Sequence, residues 1–227
     1  MKTARATPAA TPAATARLKA AKARPAAVRK TKREQRDESV DKLLTAARSL
    51  FVARGYRATT LEQIAAAAGL TKGAVYFHFG AKEAVLVQLL DRVESQLIAP
   101  ALEVLAAGGH PVSERLVQFL RLHGEMGATN RDDMLLLISM SIEFAELEGP
   151  AADAIRRMYG LLYKALEALI RRGQANSEIR RDAPAAELAS VVVATHDGAF
   201  LEWYRRGTQL DGRELVRATL SVLLHGL

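Results

Sequence analysis

The chain has 227 residues, 49% of them apolar, and a formal net charge of +7, which is enough apolar material for one large or two small domains. It contains no cysteine, so disulfides and thiolate metal sites are excluded, and this usage suits a reducing cytoplasm. No apolar run approaches the roughly 18 residues that a membrane-spanning helix needs, so we expect no such helix.

The first 36 residues differ from everything after them. They carry eleven Lys or Arg against Glu34 alone, a balance of +10 that leaves −3 for the rest of the chain. Because this segment has few large apolar side chains to offset its ordering entropy, we expect residues 1–36 to form a basic disordered tail. Beside a DNA-binding domain such a tail adds phosphate contacts. A solubilising segment, a misassigned start and a transit peptide are the alternatives.

A first helix is predicted over residues 38–54, where apolar side chains form one stripe and Gly55 ends the helix. We expect this stripe to be the core against which the following pair of helices packs. The stripe consists of Val40, Leu43, Leu44, Ala47, Leu50 and Phe51.

Residues 59–82, TTLEQIAAAAGLTKGAVYFHFGAK, have the pattern of two short helices joined by a tight turn. Thr60 opens an apolar series and fits an N-cap, Gly69 supplies the left-handed conformation that closes the first helix, and Thr71 fits a second N-cap. The second helix, from Thr71 to Phe79, spans roughly 12 Å, comparable to the width of the B-DNA major groove. This pattern predicts a helix-turn-helix that reads DNA. A helical hairpin in an ordinary all-α protein is the alternative.

The run TTLEQIAAAAGLTKGAVYFHFGAKEAVL resembles the signature of the TetR family of bacterial transcriptional regulators. The shared features are a threonine-started helix, a Gly in the turn, Tyr-x-His-Phe at the end of the second helix and a Lys three residues later. The resemblance covers residues 40–90 and implies a dimer of all-helical subunits. It further implies a helix-turn-helix DNA-binding domain over residues 37–82, and an effector-binding and dimerisation domain over residues 83–227.

At matching positions the resemblance also implies DNA contacts. These are Thr60, Thr71, Lys72, Gly73, Ala74, Tyr76, Phe77, His78 and Lys82. Lys72 is placed to donate to guanine, and the small side chains after it let bases approach. Polar groups at helix ends and on the far side of the helix are placed for phosphates, which fix register without reading sequence. Many family members carry a hydrogen-bonding aromatic at the position of Phe77. Because phenylalanine has no hydrogen-bonding group, we expect an apolar contact there. For His78, a packed hinge position is the alternative.

A fourth helix is predicted over residues 81–98, leading from the head into the rest of the chain. Prolines at positions 100, 111, 150 and 184 then punctuate the sequence. Between them we expect helices over residues 113–127, 132–147, 152–173, 184–206 and 213–225. No alternating strand pattern appears, so the predicted fold class is all-α: a three-helix head followed by a helical C-terminal domain.

The segment from Met134 to Phe144 is apolar nearly all round, which indicates a central helix covered by its neighbours. Because Met is conformationally soft and suits an adaptable cavity, we hypothesise an effector pocket here that favours an apolar ligand with few polar handles. Its predicted lining is Phe119, His123, Met126, Leu137, Ser141, Phe144, Met158, Tyr159, Leu162 and Tyr163. The alternative is that most of these residues are simply core.

Residues 188–204, LASVVVATHDGAFLEWY, form the most apolar late helix. A glycine that permits close approach, together with large aromatic anchors, is typical of an interface. With the last helix, this segment predicts a four-helix interface across a two-fold axis. The predicted interface residues are Gly198, Phe200, Trp203, Tyr204, Leu215, Leu220, Val222 and Leu223. Burial within one subunit is the alternative.

The sequence offers little to an enzyme. It has no phosphate-binding or nucleophile motif, and its five His lack ligand spacing, so we expect neither a cofactor nor a metal. His196 beside Asp197 could form a buried pair, although adjacent residues on a helix point in different directions. The prediction is a cytoplasmic, ligand-responsive repressor that binds a palindromic operator as a homodimer and is released by a small apolar effector. A nonspecific architectural DNA-binding protein that uses the tail, or an all-helical enzyme, is the alternative.

Overall fold

Ten α-helices and no strand make up the part of the chain that the structure, a computed structural model, describes: residues 31–109, 111–207 and 209–225. This confirms the predicted all-α class. The helices are α1 (Lys32–Arg54), α2 (Leu61–Ala67), α3 (Lys72–Phe79), α4 (Lys82–Val93), a π-helical turn (Glu94–Ile98), α5 (Ala99–Ala106), α6 (Val112–Thr129), α7 (Arg131–Glu143), α8 (Pro150–Ala175), α9 (Ala185–Arg205) and α10 (Gly212–His225). None of the helices in these ranges combines the length and apolar character needed to cross a bilayer.

The start of α1 lies six residues before the predicted position, because the chain caps it there. Thr31 Oγ1 accepts a hydrogen bond from the backbone N–H of Glu34 at 3.2 Å, and the Glu34 carboxylate accepts one from the N–H of Thr31 at 2.7 Å. This reciprocal capping box satisfies two orphan donors. Residues 32–36 of the predicted tail therefore belong to the helix. Residues 1–30 of the tail lie outside the described residues.

Helices α1, α2 and α3, which we call the head, share one small core. Thr60 and Thr71 cap α2 and α3 as predicted, accepting hydrogen bonds from Gln63 N at 3.2 Å and Ala74 N at 3.3 Å. Gly69 has a φ of +67°, so it supplies the left-handed turn between the two helices. The fully buried side chains of this core are Leu43, Leu44, Ala47, Phe51, Ile64 and Val75.

We call helices α4 to α10 the body. Its first helix was predicted to end before Pro100. Instead α4, the π turn and α5 continue as one element from residue 82 to residue 106, which we call the rod. In the wider π turn the N–H of Ala99 bonds to Glu94 O, five residues back. Pro100 is the second residue of α5, directly after the π turn; because the helix is continuous there, its missing N–H leaves a carbonyl of the preceding turn without a helical donor.

The long helix α8 is the centre of the body and packs against α4, α5 and α9. Helix α7 is covered on most sides, as the sequence predicted, and its buried residues are those from Asp133 to Ile138 together with Met140. It also packs against α1, so it connects head and body. Helices α9 and α10 pack on each other and on α6, at the end of the chain.

Candidate functional site

Helix α3 buries one side chain fully, Val75, and packs Phe79 against the same core. Its other positions are exposed or half-buried: Phe77 is 76% exposed and Tyr76 45% exposed, and Lys72 and Gly73 are also exposed. A short, rigid helix that presents one whole face outward is the geometry of a groove-reading helix. The structure therefore brings the predicted DNA-contacting residues of α3 together on one surface.

A carboxylate that the sequence analysis passed over organises this surface. Glu62 Oε1, on α2, lies 2.6 Å from Lys72 Nζ and accepts a hydrogen bond from the hydroxyl of Tyr76 at 3.4 Å. The hydrogen bond from Lys72 lowers the pKa of the Glu62 carboxyl to about 2, and the same bond raises the pKa of Lys72. The Lys72 and Tyr76 side chains are thus oriented by α2 before DNA arrives.

Lys82 was predicted to contact a phosphate, but its ammonium group points to the backbone of the α1–α2 loop. Its Nζ donates to the carbonyl oxygens of Tyr56 and Thr59, each at 2.8 Å, and lies 4.2 Å from the centroid of the Tyr56 ring. Burial lowers the pKa of Lys82. Two of its three N–H donors therefore hold the loop between α1 and α2, so its main role is to position that loop.

His78 is half-buried on α3, between its two neighbouring aromatic rings. The ring centroids of Phe77 and Phe79 lie 5.2 and 6.3 Å from that of His78. Its Nδ1 is closed to solvent and has no hydrogen-bond partner among the described residues. This arrangement fits the packed alternative better than a fully exposed phosphate ligand.

The loop after α1 is also bonded to the body. Glu143, at the end of α7, accepts hydrogen bonds from the backbone N–H groups of Tyr56 and Arg57 at 2.9 and 2.8 Å. The Tyr56 ring packs between Phe51 and Phe144, with centroids 5.3 and 5.0 Å away. Phe144 was predicted to line the effector pocket; it instead lies at the junction of head and body.

A small cavity of about 20 Å³ lies where α6, α7, α8 and α9 meet the π turn. It is lined by Leu97, Ile98, Phe119, His123, Met134, Leu137, Ile138, Tyr159, Leu162, Val193, His196 and Asp197. Five of these were predicted: Phe119, His123, Leu137, Tyr159 and Leu162. The cavity is therefore in the predicted region, but α9 and the π turn contribute walls that the sequence analysis did not assign.

The remaining predicted pocket residues lie elsewhere. Met158 is fully buried in the core, and Met126 is half-buried outside the cavity wall. Ser141 turns its hydroxyl to the Ile138 carbonyl oxygen at 2.7 Å, which satisfies the group within its own helix. Tyr163 is 38% exposed and stacks on Tyr159 outside the cavity.

Four polar side chains form a connected chain at this cavity. His123 Nδ1 lies 3.1 Å from His196 Nε2, and His196 Nδ1 lies 2.9 Å from Asp197 Oδ1. The hydroxyl of Tyr159 donates to Asp197 Oδ2 at 3.3 Å. Burial, and secondarily His196, lowers the pKa of His123 well below its ordinary value, while burial and the Asp197 carboxylate raise the pKa of Tyr159. His123 is therefore neutral, and Tyr159 keeps its proton.

The predicted interface residues fall into two groups. Phe200 and Leu220 are buried within the subunit, and Trp203 donates its Nε1–H to Leu210 O at 3.1 Å. The reason is close helix packing: a Cβ at Gly127 on α6 would lie 3.1 Å from the Phe200 ring, so α6 covers that ring. These three residues contribute to the fold rather than to an exposed face.

The second group of interface residues stays accessible. Gly198, Tyr204 and Val222 are exposed, and Leu215 and Leu223 are half-buried. Between α6, α9 and α10 lies a second cavity, of about 70 Å³, which also has His123 and His196 in its wall. The outer faces of α9 and α10 are thus open, while their inner faces are packed.

Comparisons with known proteins agree with this geometry. Residues 43–89 match the family model of bacterial regulatory proteins, tetR family, and residues 136–209 match a tetracyclin repressor-like C-terminal domain. The HTH-type transcriptional repressor DhaR of Mycobacterium sp. (strain GP1) is 30% identical over 152 residues, which cover 67% of this chain and 75% of DhaR. The chain belongs to the TetR family.

Two further regulators extend the match over most of the chain. The repressor KstR2 of Rhodococcus jostii (strain RHA1) is 28% identical over 191 residues, covering 82% of this chain and 89% of KstR2. The crystal structure of the MbdR regulator from Azoarcus sp. CIB superimposes with a TM-score of 0.76 and 41% identity, covering 83% of this chain and 98% of MbdR. This TetR-family member is a ligand-responsive DNA-binding repressor, as predicted, and not an enzyme.

Proposed function

We propose that this repressor binds a palindromic operator as a homodimer, in the cytoplasm where the chromosome lies, and releases it when a small apolar effector enters the cavity beside the π turn. The observation that carries the proposal is the outward presentation of α3, which buries Val75 and packs Phe79 on the core, at the start of the rod that passes the cavity. Two such helices, roughly 34 to 36 Å apart, fit successive major grooves of a two-fold symmetric site.

At the DNA, Lys72 donates to a guanine and Phe77 makes an apolar contact, suited to a thymine methyl. An ammonium group has three donors, so Lys72 can keep its bond to Glu62 and still donate to a base. Glu62 then limits how far the lysine swings, which favours one base position. Gly73 and Ala74 let the backbone of α3 approach the bases.

Phosphate contacts come from the ends of the short helices. Thr60 and Thr71 are exposed N-caps, and helix N-termini attract phosphate oxygens. Tyr76 approaches the DNA backbone from the exposed face of α3, His78 packs at the end of that helix, and Lys82 positions the neighbouring loop. These contacts fix the register of the helix on the duplex.

The homodimer uses the open faces of α9 and α10. Val191, Ala194 and Gly198 lie on one exposed face of α9, and Val191 is 51% exposed. On α10, Val222 is 43% exposed. Small residues let two copies of α9 approach closely, and two helices from each subunit form a four-helix interface across a two-fold axis.

The effector acts through the rod. Leu97 and Ile98 of the π turn line the cavity, and single π turns inside α-helices occur frequently at functional sites. Helix α4 is held to α8 by Glu83, whose carboxylate accepts from the N–H of Ala151 at 3.2 Å. A ligand that binds more tightly to one position of the rod shifts the equilibrium towards that position, and the head moves with the rod. The size of the shift is set by the difference in affinity for the two positions.

Selection of operators from a random DNA pool by the purified full-length chain tests the function. The expected result is a symmetric consensus whose half-sites lie one helical turn apart. Lys72→Ala should lose the preference for one base pair in each half-site, while Lys164→Ala, an exposed lysine on α8, should select the wild-type consensus. An asymmetric consensus, or equal selection by wild type and Lys72→Ala, contradicts the proposed reading mode.

A further inference from the structure

A buried hydrogen-bond chain ends at one unsatisfied nitrogen in the cavity wall. His123 is 4% exposed, and its Nε2 is closed to solvent and has no hydrogen-bond partner among the described residues. The ring packs on Phe119, with centroids 4.3 Å apart. A buried polar atom without a partner is costly, so a ligand that satisfies Nε2 gains affinity from doing so.

Asp197 sets the direction of this chain. Its carboxylate only accepts hydrogen bonds, so the nitrogen 2.9 Å from Oδ1, Nδ1 of His196, carries a hydrogen. The other carboxylate oxygen is taken by the Tyr159 hydroxyl. Nε2 of His196 and Nδ1 of His123 lie 3.1 Å apart, so they share one hydrogen. In the arrangement with a single hydrogen on each imidazole, the hydrogen of His196 is already on Nδ1, and Nδ1 of His123 donates.

The tautomer of His123 follows from this order. A neutral imidazole has one N–H, and in His123 it lies on Nδ1, so Nε2 presents a lone pair. Burial, and secondarily His196, lowers the pKa of His123 well below its ordinary value, which keeps the ring neutral. The lone pair at Nε2 therefore faces an otherwise largely apolar surrounding, and it cannot turn into a donor without reversing the whole chain.

We propose that His123 Nε2 is the hydrogen-bond acceptor for the effector, and that the effector is an apolar compound carrying one hydroxyl or N–H donor, such as a phenol. This inference rests on the proposed function, because it takes the cavity to be the effector site. Carboxylates and simple carbonyl compounds are disfavoured at this position, since their oxygens would face a lone pair. His123 also lines the second cavity of about 70 Å³. Because benzene occupies a cavity of roughly 150 Å³, a ligand at Nε2 takes up both spaces and displaces the side chains between them.

The tautomer is testable without any ligand. Nitrogen NMR of the histidine side chains is recorded on the full chain at about pH 8, above the value of roughly 6.5 at which free imidazoles titrate. Loss of one set of signals in His123→Gln assigns His123. We expect a hydrogen on Nδ1 and a bare Nε2; a hydrogen on Nε2 overturns the proposal.

The ligand class is tested by calorimetry with phenol, anisole and benzaldehyde. Anisole keeps the ring and oxygen of phenol without the donor, and benzaldehyde offers only an acceptor. The ratio of phenol to anisole affinity should fall roughly two- to tenfold from wild type to His123→Leu, the range expected for one hydrogen bond. Because both proteins meet the same probes, the different hydration of phenol and anisole cancels. An unchanged ratio overturns the assignment.

Asp197→Asn supplies a reversal test. The Tyr159 hydroxyl should hold the amide oxygen, so that the amide nitrogen donates to His196 and every hydrogen in the chain moves to the other side. His123 Nε2 then carries a hydrogen, and benzaldehyde should bind more tightly than phenol. A persistent preference for phenol in this variant contradicts the proposed chain.

The outcomes also separate this inference from the proposed function. If wild type binds none of the three probes but still selects a symmetric operator, the acceptor assignment fails and the repressor function stands. If no symmetric operator is selected, the proposed operator binding fails whatever the NMR and calorimetry show.

Discussion

Arg48 on α1 and Asp133 on α7 form an ion pair that joins head to body, with Nη1 of Arg48 2.9 Å from each carboxylate oxygen of Asp133. The carboxylate is buried, while the Arg48 side chain is 31% exposed. Next to Asp133 on the same helix, Met134 lines the cavity beside the π turn. The ion pair therefore couples the position of α7 to that of α1, and α1 packs in the same head as α3.

Arg48→Met should destabilise the protein by about 2 kcal/mol, because it leaves the Asp133 charge buried without a cation. This is below the roughly 3 to 5 kcal/mol seen for fully buried pairs, since Arg48 is partly exposed. Urea unfolding measures the change. The double variant Arg48→Met with Asp133→Leu should recover most of the loss, because both charges are removed together. A double variant less stable than the single one would show that the pair is not coupled in this way.

Glu143→Ala should weaken the attachment of the α1–α2 loop to the body. Two backbone N–H groups lose a charged acceptor, at about 1.5 to 3 kcal/mol for each such bond when buried; the bond to Arg57 is exposed, so we expect about 2 kcal/mol in total. Glu146→Ala, an exposed carboxylate one turn further on, is the control and should melt like wild type. Thermal melting checks both, and equal melting temperatures for the two variants contradict the role given to Glu143.

Glu62 provides a pH signature of the surface on α3. Its folded-state pKa is lowered to about 2 from an ordinary 4.5, so the bond to Lys72 favours the fold above about pH 4.5 and is lost as pH falls towards 2. Carboxyl NMR titration of the wild type should give a pKa near 2 for Glu62. In Lys72→Ala it should return towards 4.5, because the largest cause of the shift is removed. If the pKa of Glu62 is the same in wild type and in Lys72→Ala, the bond between Glu62 and Lys72 does not form in solution.

The head was largely predictable because its signals are local. Thr60, Thr71 and Gly69 act on groups within a few residues of themselves, so their capping roles follow from spacing alone. The same logic applied to Thr31 and Glu34 would have found the true start of α1, but the surrounding basic residues favoured a disordered tail.

The body was predicted less well because its site depends on tertiary contacts. His196 and Asp197 are adjacent on α9, and helical geometry alone separates them. They meet because His123 of α6 takes one nitrogen of His196 and leaves the other to turn back to Asp197. Similarly, Phe144 was assigned to the pocket from its apolar surroundings, whereas its partner Tyr56 lies 88 residues earlier in the chain.

Gly124 on α6 is required for the approach of α10. A Cβ at this position would lie 2.6 Å from Val216 Cγ2, so Gly124→Ala should cost about 1 to 3 kcal/mol through overpacking. Gly160→Ala on α8 is the control: no atom lies within 4 Å of its Cβ position, and it should stabilise by up to about 1 kcal/mol through helix propensity. Denaturant unfolding of both variants measures the free energy of unfolding, which should fall in Gly124→Ala and rise in Gly160→Ala. A neutral Gly124→Ala would show that α10 moves away at no cost.

Gly198→Arg tests the dimer face without disturbing the fold of the subunit. No atom lies within 4 Å of the Cβ position at Gly198, so an arginine fits a single subunit, but two copies facing each other would bring like charges and bulk into the interface. We expect a monomer by light scattering, with melting that no longer depends on protein concentration. Operator affinity should fall at least tenfold, because each half-site is then bound separately. Gly160→Arg on α8, where the Cβ position also has no contact within 4 Å, should stay dimeric; a dimeric Gly198→Arg would move the interface away from α9.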